Sequence, residues 1–445
     1  MPQTRAQETL VVGLGKTGLS CARHLKRIGV EFVVTDSRLQ PPGIDELKNE
    51  LPEVNVVLGG FCDQDFARAK QIILSPGIAM KEQHVFTAKQ HGTEVLGDIE
   101  LFARATKVPT IAITGTNGKS TVTSLVAAMA KQAGKRVQCG GNIGKPALDL
   151  LESKDTELFV LELSSFQLET TQSLNAVAAV VLNISEDHMD RYDSLNDYAI
   201  VKQSVYRGDG VMIINRNDAH VNKMRDATRN TTSFGLDEPQ AGDFGLRQQN
   251  GKDYLAQGER CLLAIDELKI VGNHNISNAL AALALGSAAG LDESSMFSVL
   301  KAFTGLSHRS QWVADKDNIR WFNDSKATNV GATIAALEGM PGKLILIAGG
   351  EGKGADFSAL KQVLCQHVEA VVLIGRDASL IEAALDGCVP VHHALTMYEA
   401  VKSAAQIAKP DTSILLSPAC ASFDMYKNFE ERGDDFIAQV NEVLQ

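Results

Sequence analysis

Residues 111–122 read IAITGTNGKSTV, and this stretch decides the fold of the middle of the chain. A short apolar run leads into a glycine-containing turn, and a helical pattern then continues to Gly134. A strand, a turn and a helix in this order are typical of a phosphate-binding loop. In such loops backbone N–H groups, a lysine and a hydroxyl hold the nucleotide phosphates and Mg²⁺. Lys119 and Ser120 provide the lysine and the hydroxyl.

The loop departs from the usual pattern G-x-x-x-x-G-K-[ST], which requires a glycine at position 113. That position holds Ile113, and the earlier glycine is Gly115. A tighter loop still holds phosphate if the helix N-terminus is directed at it. The alternative is that Gly118-Lys119-Ser120 begins a helix by chance, which the order of the elements disfavours. We therefore predict an ATP site, with Lys119 at the β- and γ-phosphates and Ser120 at Mg²⁺.

A second glycine motif lies near the N-terminus, where residues 13–18 read GLGKTG between a strand and a helical pattern. Asp36 ends the following strand. In a dinucleotide-binding fold such glycines permit a tight turn against a diphosphate, and the acid binds ribose hydroxyls. The motif ordinarily suggests NAD, and the alternative is a glycine-rich turn that binds nothing. We predict a ligand that carries a diphosphate.

Two polar side chains follow strands of the sheet predicted around the ATP loop. Glu162 ends the buried run ELFVLELS, where a carboxylate can reach Mg²⁺, and His188 follows the run AVAAVVLNI among three acidic residues. Each also has a plain interpretation, since Glu162 could cap the next helix and His188 could be a solvated loop residue. Because parallel strands end at one edge of a sheet, we expect both side chains beside the ATP loop.

The composition is that of an ordinary globular protein, with 445 residues, 44% hydrophobic, 22% charged and a formal net charge of −11. The acidic balance disfavours binding to nucleic acid or to an anionic membrane. No apolar run approaches the roughly 20 residues that span a bilayer, and the N-terminus predicts no secretory signal. Seven scattered cysteines without a C-x-x-C pair predict reduced thiols in a cytoplasmic protein.

Apolar runs rich in Val and Ile alternate with helical patterns along most of the chain. Near-continuous apolar strands indicate sheets covered on both faces, so the alternation predicts parallel α/β sheets. The strands fall into three groups, which we interpret as three domains. They are an N-terminal Rossmann-like domain over 1–97, a central P-loop-type ATPase with a mainly parallel sheet over 98–305, and a C-terminal Rossmann-like domain over 306–445. The central group includes a polar, β-rich insertion from Thr231 to about Ile270.

Several stretches together resemble the Mur ligases of peptidoglycan synthesis over essentially the whole chain. They are ITGTNGKST, LELSSFQL, NISEDHMDRY, GNHNISNALAA, LSHR, NDSKATN and SPACASFDMYKNFEERG. G-T-N-G-K-[ST] is that family's own form of the phosphate loop and is shared with folylpolyglutamate synthetases. NDSKATN and SPACASFDMYKNF are far more specific to members that add D-glutamate. The chain has no DNPR motif, which members that add a diamino acid would carry.

The resemblance implies ATP-driven amide formation. The carboxylate of UDP-N-acetylmuramoyl-L-alanine would take the γ-phosphoryl group of ATP, the amine of D-glutamate would attack the acyl phosphate, and phosphate would leave. Attack of one anion on another needs cations between them, so two Mg²⁺ ions and several lysines fit this chemistry. We expect a cytoplasmic monomer that binds no nucleic acid and does not insert into a membrane.

The same resemblance implies a role for individual residues. The catalytic set is Lys119, Glu162, His188 and Lys202, and the metal set is Ser120, Glu162, His188 and Lys202, the last if it is carbamylated. The ATP set is Gly115, Thr116, Asn117, Gly118, Lys119, Ser120, Thr121, Asn275, Asn278, Arg309 and Asp324. The UDP-substrate set is Lys16, Thr17, Asp36, Ser37, Arg38, Asn142 and His188. The D-glutamate set is Lys326, Thr328, Lys353, Ser422, Phe423 and Phe429.

Without the resemblance some of these residues have plainer interpretations. Lys202 lies on the amphipathic stretch DYAIVKQSVY and would be a solvated surface lysine, while Phe423 and Phe429 would be core residues. Three other functions also remain open. An NAD-dependent dehydrogenase explains residues 13–18 but not the loop at 115–120, and a nucleotide-dependent switch protein would bind ATP without synthesis. A folylpolyglutamate synthetase shares the loop, but the N-terminal diphosphate motif disfavours it.

Overall fold

The computed structural model describes residues 9–270, 272–340 and 342–444, and the strands of these residues form three sheets. Helices cover both faces of each sheet's parallel part. This accounts for the near-continuous apolar strands, such as TLVV and LFVLE, in which every residue is buried. The predicted three-domain α/β fold, with a central, mainly parallel sheet, is confirmed, while the predicted domain boundaries stay a prediction.

The first sheet has five parallel strands in the order β3-β2-β1-β4-β5. Its strand order reverses beside β1, and this reversal leaves a crevice at the carboxyl end of β1 where the glycine motif begins. Its elements are β1 (Thr9–Val12), α1 (Lys16–Arg27), β2 (Phe32–Asp36), α2 (Ile44–Glu50), β3 (Asn55–Leu58), α3 (Asp63–Arg68), β4 (Gln71–Leu74), α4 (Gln83–Gln90) and β5 (Glu94–Leu96).

The second sheet has nine strands in the order β14-β13-β12-β11-β10-β9-β6-β8-β7. Strands β12 to β14 are antiparallel, so the β-rich insertion predicted here is confirmed. The first elements are α5 (Asp98–Ala105), β6 (Thr110–Thr114), α6 (Lys119–Gln132), β7 (Val137–Gly141), α7 (Ala147–Leu150), β8 (Leu158–Glu162), α8 (Ser165–Leu168), β9 (Ala178–Val181) and α9 (Leu195–Gln203). The others are β10 (Val211–Asn215), α10 (Ala219–Asn222), β11 (Thr231–Phe234), β12 (Phe244–Gln249), β13 (Lys252–Gln257), β14 (Arg260–Ala264), α11 (Asn273–Ala288) and α12 (Glu293–Ala302).

The third sheet has six strands in the order β15-β16-β20-β17-β18-β19, and only β15 runs antiparallel to its neighbour. The loops after β16, β17 and β20 therefore meet at one edge. The elements are β15 (Gln311–Lys316), β16 (Ile319–Asn323), α13 (Val330–Gly339), β17 (Lys343–Gly349), α14 (Ser358–His367), β18 (Val368–Ile374), α15 (Ala378–Leu385), β19 (Val391–His393), α16 (Met397–Ile407), β20 (Thr412–Leu416) and α17 (Phe429–Val443).

The cysteines differ in part from the prediction. Cys21 and Cys420 are buried, as expected of small core residues, and Cys62 is exposed. Cys365 and Cys388 form a disulfide, with their Cα atoms 5.7 Å apart, so the prediction of reduced thiols is wrong for this pair. The two residues are 23 positions apart, and nothing in their spacing points to contact. None of the described helices is long and apolar enough to cross a membrane.

The seam between the first and second domains contains hydrogen bonds between partly buried groups of both domains. Ser20 Oγ donates a hydrogen bond to Asp149 at 2.6 Å. The guanidinium of Arg191 donates to the carbonyls of Pro76 and Ile78, at 2.8 and 3.2 Å. The Arg191 guanidinium therefore links the loop after β4 in the first domain to the second domain.

The seam between the second and third domains borders the phosphate loop. Arg309 Nη2 donates to Ser120 Oγ at 2.7 Å, and the amides of Asn117 and Asn329 meet at 3.3 Å. Both contacts involve residues predicted to surround the nucleotide or their immediate neighbours. This seam therefore places the third domain over the phosphate loop.

Candidate active site

The phosphate loop is short because strand β6 continues to Thr114. Ile113, which breaks the usual pattern, is a buried strand residue that pairs with Glu162 and Val180 on the neighbouring strands. The loop then spans only residues 115–118, and α6 begins at Lys119. Gly118 has a φ of +82°, and a Cβ there would lie 2.4 Å from Asn278 Oδ1. Glycine is therefore required where helix α11 approaches the loop.

Lys119 folds back over this loop. Its Nζ donates to the carbonyls of Gly115 and Thr116, at 2.8 and 2.6 Å. Burial lowers the pKa of Lys119, although the nearby carboxylate of Glu162 acts in the opposite direction. The helix N-terminus and the ammonium together make this an anion-binding position. Nucleotide phosphates would offer Lys119 stronger acceptors than the two carbonyls.

Glu162 lies at the carboxyl end of β8, beside the loop. Its Oε1 accepts a hydrogen bond from Asn142 Nδ2 at 2.7 Å. Its Oε2 is buried and has no hydrogen-bond partner in the structure. A buried carboxylate oxygen without a partner is costly, and a bound cation would satisfy it.

The residues present fit a magnesium site of limited protein ligation. Among the described residues, no three His, Cys, Asp or Glu side chains gather closely enough to hold a metal ion alone. Mg²⁺ usually takes one or two carboxylates and completes its shell with phosphate oxygens and water. Glu162 Oε2 and Ser120 Oγ match that pattern, because they lie on neighbouring elements at the phosphate loop.

His188 lies in the loop after β9 and has a φ of +57°. Its Nε2 is 3.7 Å from Asp187 Oδ2, and its ring packs edge-on against Phe166 with centroids 4.8 Å apart. Burial lowers the pKa of His188, opposed by Asp187 and assisted by the charge of Lys353. This shift favours the neutral imidazole, the form that binds metals.

Lys202 is not the surface residue that the helical pattern alone suggests, because its side chain is only 1% exposed. Its Nζ donates to Gly115 O at 2.9 Å, lies 3.3 Å from Thr114 Oγ1, and sits 4.6 Å from the centre of the Tyr198 ring. Burial, with a further contribution from the charge of Lys119, places the pKa of Lys202 well below that of an ordinary lysine. This shift favours the uncharged amine over the ammonium, and the uncharged amine is the nucleophilic form.

A cavity of about 310 Å³ lies between the phosphate loop and the third domain. Arg309 reaches across it to Ser120. Asp324 accepts hydrogen bonds from Ser417 Oγ at 2.9 Å and from the Ser310 N–H at 3.0 Å, and burial raises its pKa to about 7. The members of the predicted ATP set that line the cavity are Asn117, Gly118, Thr121, Asn275, Asn278, Arg309 and Asp324.

The predicted D-glutamate set comes from three loops of the third domain. Lys326 follows β16, Lys353 follows β17, and Ser422 follows β20. Lys326 Nζ lies 3.7 Å from the centre of the Phe429 ring. Burial and the charge of Arg309 lower the pKa of Lys326 to about 8. Thr328 is half-buried after Lys326, whereas Phe423 is 64% exposed and does not belong to the core.

The predicted UDP-substrate set is divided between two domains. Lys16, Thr17, Asp36, Ser37 and Arg38 lie at the carboxyl edge of the first sheet, whereas Asn142 and His188 lie in the second domain. The Asp36 carboxylate accepts the Leu14 N–H at 2.7 Å and three N–H groups of Arg38. Although burial opposes it, this bonding lowers the pKa of Asp36. Asp36 therefore shapes the glycine turn and is already engaged, unlike an acid free for ribose.

Sequence reasoning missed several residues that hold this site together. Asn183 accepts the N–H groups of Thr116 and Asn117, at 2.9 and 2.8 Å, through its carbonyl and its side chain. Thr114 and Tyr198 surround the Lys202 amine. The feature of the sequence that could have identified Asn183 is its position just after a buried strand.

Family models match most of the chain. A Mur ligase MurD-like N-terminal domain matches residues 7–97, a Mur ligase middle domain matches 113–286, and a Mur ligase glutamate ligase domain matches 308–420. The chain therefore belongs to the Mur ligase family.

Similar proteins over the full length carry one particular name, UDP-N-acetylmuramoylalanine–D-glutamate ligase. The relative from Nitrosococcus oceani is 52% identical over 445 residues, covering 100% of this chain and 98% of that protein. The relative from Pseudomonas aeruginosa is 50% identical over 438 residues, covering 98% of each chain.

Solved structures share the fold at much lower identity. A pseudomurein peptide ligase type C from Methanothermus fervidus has a TM-score of 0.60 at 20% identity, over 99% of this chain and 100% of that chain. UDP-N-acetylmuramate-alanine ligase MurC from Thermotoga maritima has a TM-score of 0.60 at 18% identity, over 98% and 99%. E. coli FolC has a TM-score of 0.56 at 17% identity, over 78% and 92%. At these identities the likeness concerns the fold alone.

Proposed function

We propose that the protein joins D-glutamate to UDP-N-acetylmuramoyl-L-alanine in an ATP-dependent reaction of peptidoglycan precursor synthesis. The observation that carries this proposal is the hydrogen bond of Arg309 to Ser120, which sets the third domain over the phosphate loop. Lys326 lines the same cavity as Asn117 and Arg309, and the charge of Lys353 acts on the pKa of His188, which supports a shared site. Full-length relatives of about half identity with this activity in their names support the choice of amino acid.

The reaction begins with transfer of the γ-phosphoryl group of ATP to the alanyl carboxylate, giving an acyl phosphate and ADP. Lys119 binds the β- and γ-phosphates and offsets the charge that moves to ADP. Phosphorylation gives the carboxylate a leaving group. The amine of D-glutamate then attacks the acyl carbon, a tetrahedral intermediate forms, and the C–O bond to phosphate breaks.

The remaining residues hold the reactants. The second and third domains hold ATP through the loop residues 115–121 and the side chains of Asn275, Asn278, Arg309 and Asp324. Lys326 and Lys353 face the carboxylates of D-glutamate. Two Mg²⁺ ions, when bound at Ser120, Glu162, His188 and a carbamylated Lys202, would supply further positive charge between the anions.

The proposal is tested by phosphate release. We expect release to require ATP, UDP-N-acetylmuramoyl-L-alanine and D-glutamate together, and to fail with L-alanine, L-lysine or meso-diaminopimelate. A protein that hydrolyses ATP without the amino acid would be a switch and not a ligase. Tight binding of NAD measured by calorimetry would instead favour the dehydrogenase interpretation of residues 13–18.

We also propose that the protein is a cytoplasmic monomer. The proposed substrates are a nucleotide sugar and ATP, and the formal net charge of −11 disfavours binding to nucleic acid. Light scattering of the purified protein would give the mass of a single chain if this is correct.

The pKa of Lys326 predicts that the KM for D-glutamate depends on pH. Its ammonium is charged below about pH 8 and neutral above it, so binding of the D-glutamate dianion weakens as the pH rises through 8. We expect the KM for D-glutamate to rise towards about tenfold per pH unit above that point. Arginine stays protonated throughout, so Lys326→Arg should remove this bend from the KM profile. An identical bend in the variant would assign the titration to another group.

A further inference from the structure

Arg432 lies in the first turn of α17, and its side chain is only 1% exposed. In the described part of the chain no carboxylate lies within ion-pair distance of its guanidinium. The carboxylate of Asp424 stabilises the guanidinium only from beyond ion-pair distance. A buried charge without a direct ion pair is costly, and a cation at a helix N-terminus also opposes the helix dipole. The placement therefore calls for an explanation beyond packing.

The guanidinium is held by hydrogen bonds to two loops. Nε donates to Ser325 Oγ at 3.0 Å, and Nη2 donates to the carbonyls of Ser325 and Cys420, at 2.8 and 3.1 Å. Nη1 donates to Ala421 O at 3.3 Å. Ser325 directly precedes Lys326, and Ala421 directly precedes Ser422. One planar group thus fixes the distance between two loops that carry the D-glutamate set.

The third loop packs against the same group. Gly350 has a φ of +132°, and a Cβ there would lie 2.2 Å from Ala421 O and 3.2 Å from Arg432 Nη1. The backbones of Glu351 and Ala421 exchange two hydrogen bonds of 2.9 Å. Lys353 follows on this loop. Arg432 therefore lies beneath the junction of all three loops.

We propose that Arg432 is a positioning residue for the incoming amino acid. Its planar fork holds the three loops at the spacing that D-glutamate requires. The inference rests on the proposed function, because it takes D-glutamate as the occupant of these loops. Lysine at this position keeps the charge but not the fork.

The test compares Arg432→Lys with the intact enzyme. We expect the KM for D-glutamate to rise by about tenfold or more, while kcat at saturating D-glutamate changes by less than about threefold. The KM for ATP should not change. Formation of the acyl phosphate without D-glutamate, trapped by hydroxylamine as the hydroxamate, should also be preserved. If Arg432 had a merely structural role, the substitution would also lower kcat, raise the KM for ATP and reduce the formation of the hydroxamate.

Arg229→Lys is the matched control. Arg229 also donates to backbone carbonyls, those of Tyr206 and Gly210 at 2.6 and 2.7 Å, but it lies in the second domain away from the cleft. We expect it to change thermal stability and to leave the KM for D-glutamate unaltered. An equal rise in that KM would overturn the inference.

Ser325→Ala keeps the inference testable if Arg432→Lys does not fold. It removes the acceptor of Nε, so the KM for D-glutamate should rise by roughly threefold with kcat preserved. No change in that KM in either variant would refute the role of Arg432. If the intact enzyme itself shows no release of phosphate that depends on D-glutamate, the proposed function has failed and not this inference.

Discussion

Lys119→Ala is expected to abolish ligation, lowering kcat by about a thousandfold or more. Lys119 is the cation of the phosphate loop, and it begins the helix whose N-terminus faces the phosphates. No water molecule replaces a fixed ammonium at the point where charge moves to ADP. The loop itself should survive, because Asn183 holds the N–H groups of Thr116 and Asn117 independently of the lysine.

Steady-state ligation and thermal melting, measured together, check this expectation. Lys131→Ala is the matched control, since Lys131 lies in the last turn of the same helix and is exposed. It should leave kcat unchanged. Near-normal turnover of Lys119→Ala in a folded protein would refute the assignment of residues 115–120 as the ATP loop.

The second large effect is expected for Lys202→Ala, with a loss of activity of about a hundredfold or more. A neutral buried amine can add CO₂, so that an N–C bond forms, a proton leaves, and a carbamate anion replaces the amine. Removing Lys202 would delete that anion beside Glu162. Short carboxylic acids should restore part of the activity, because a free carboxylate can enter the space left by the side chain.

Two measurements check the role of Lys202. Ligation is followed with increasing acetate or formate, and ¹³C NMR after equilibration with labelled bicarbonate should show a carbamate signal that Lys202→Ala lacks. Lys223→Ala, at an exposed lysine of the same domain, should retain both activity and signal. A fully active Lys202→Ala would show that the carbamate has no role.

The parts of the site that could be predicted from the sequence are those near the ends of strands. Glu162 ends an apolar strand, and Lys119 and His188 lie within a few residues of the ends of two others. Parallel strands bring such positions to one edge. The fold class followed from the same runs. The exception at Ile113 was interpretable because the chemistry depends on N–H groups, a lysine and a hydroxyl, and not on the number of residues between two glycines.

Other features of the structure could not be predicted from local sequence patterns. Lys202 lies on a helix whose charged and apolar residues alternate as on any surface helix, and only tertiary packing buries it. Arg432 lies in the highly charged stretch FEERGDD, which is typical of a solvated helix start. The pairing of Cys365 with Cys388 depends on how α14 packs against the turn after α15. In each case the environment is created by residues distant in sequence.

The two domain seams differ in a way that governs how the molecule can deform. At the first seam Arg191 donates hydrogen bonds to backbone carbonyls, whereas at the second seam Arg309 donates to Ser120, whose hydroxyl is predicted to bind Mg²⁺. The contacts at the first seam therefore do not involve any predicted metal or nucleotide ligand, whereas the contact at the second seam does. Binding of Mg²⁺ and nucleotide would thus act directly on the attachment of the third domain, which carries the loops with Lys326 and Lys353.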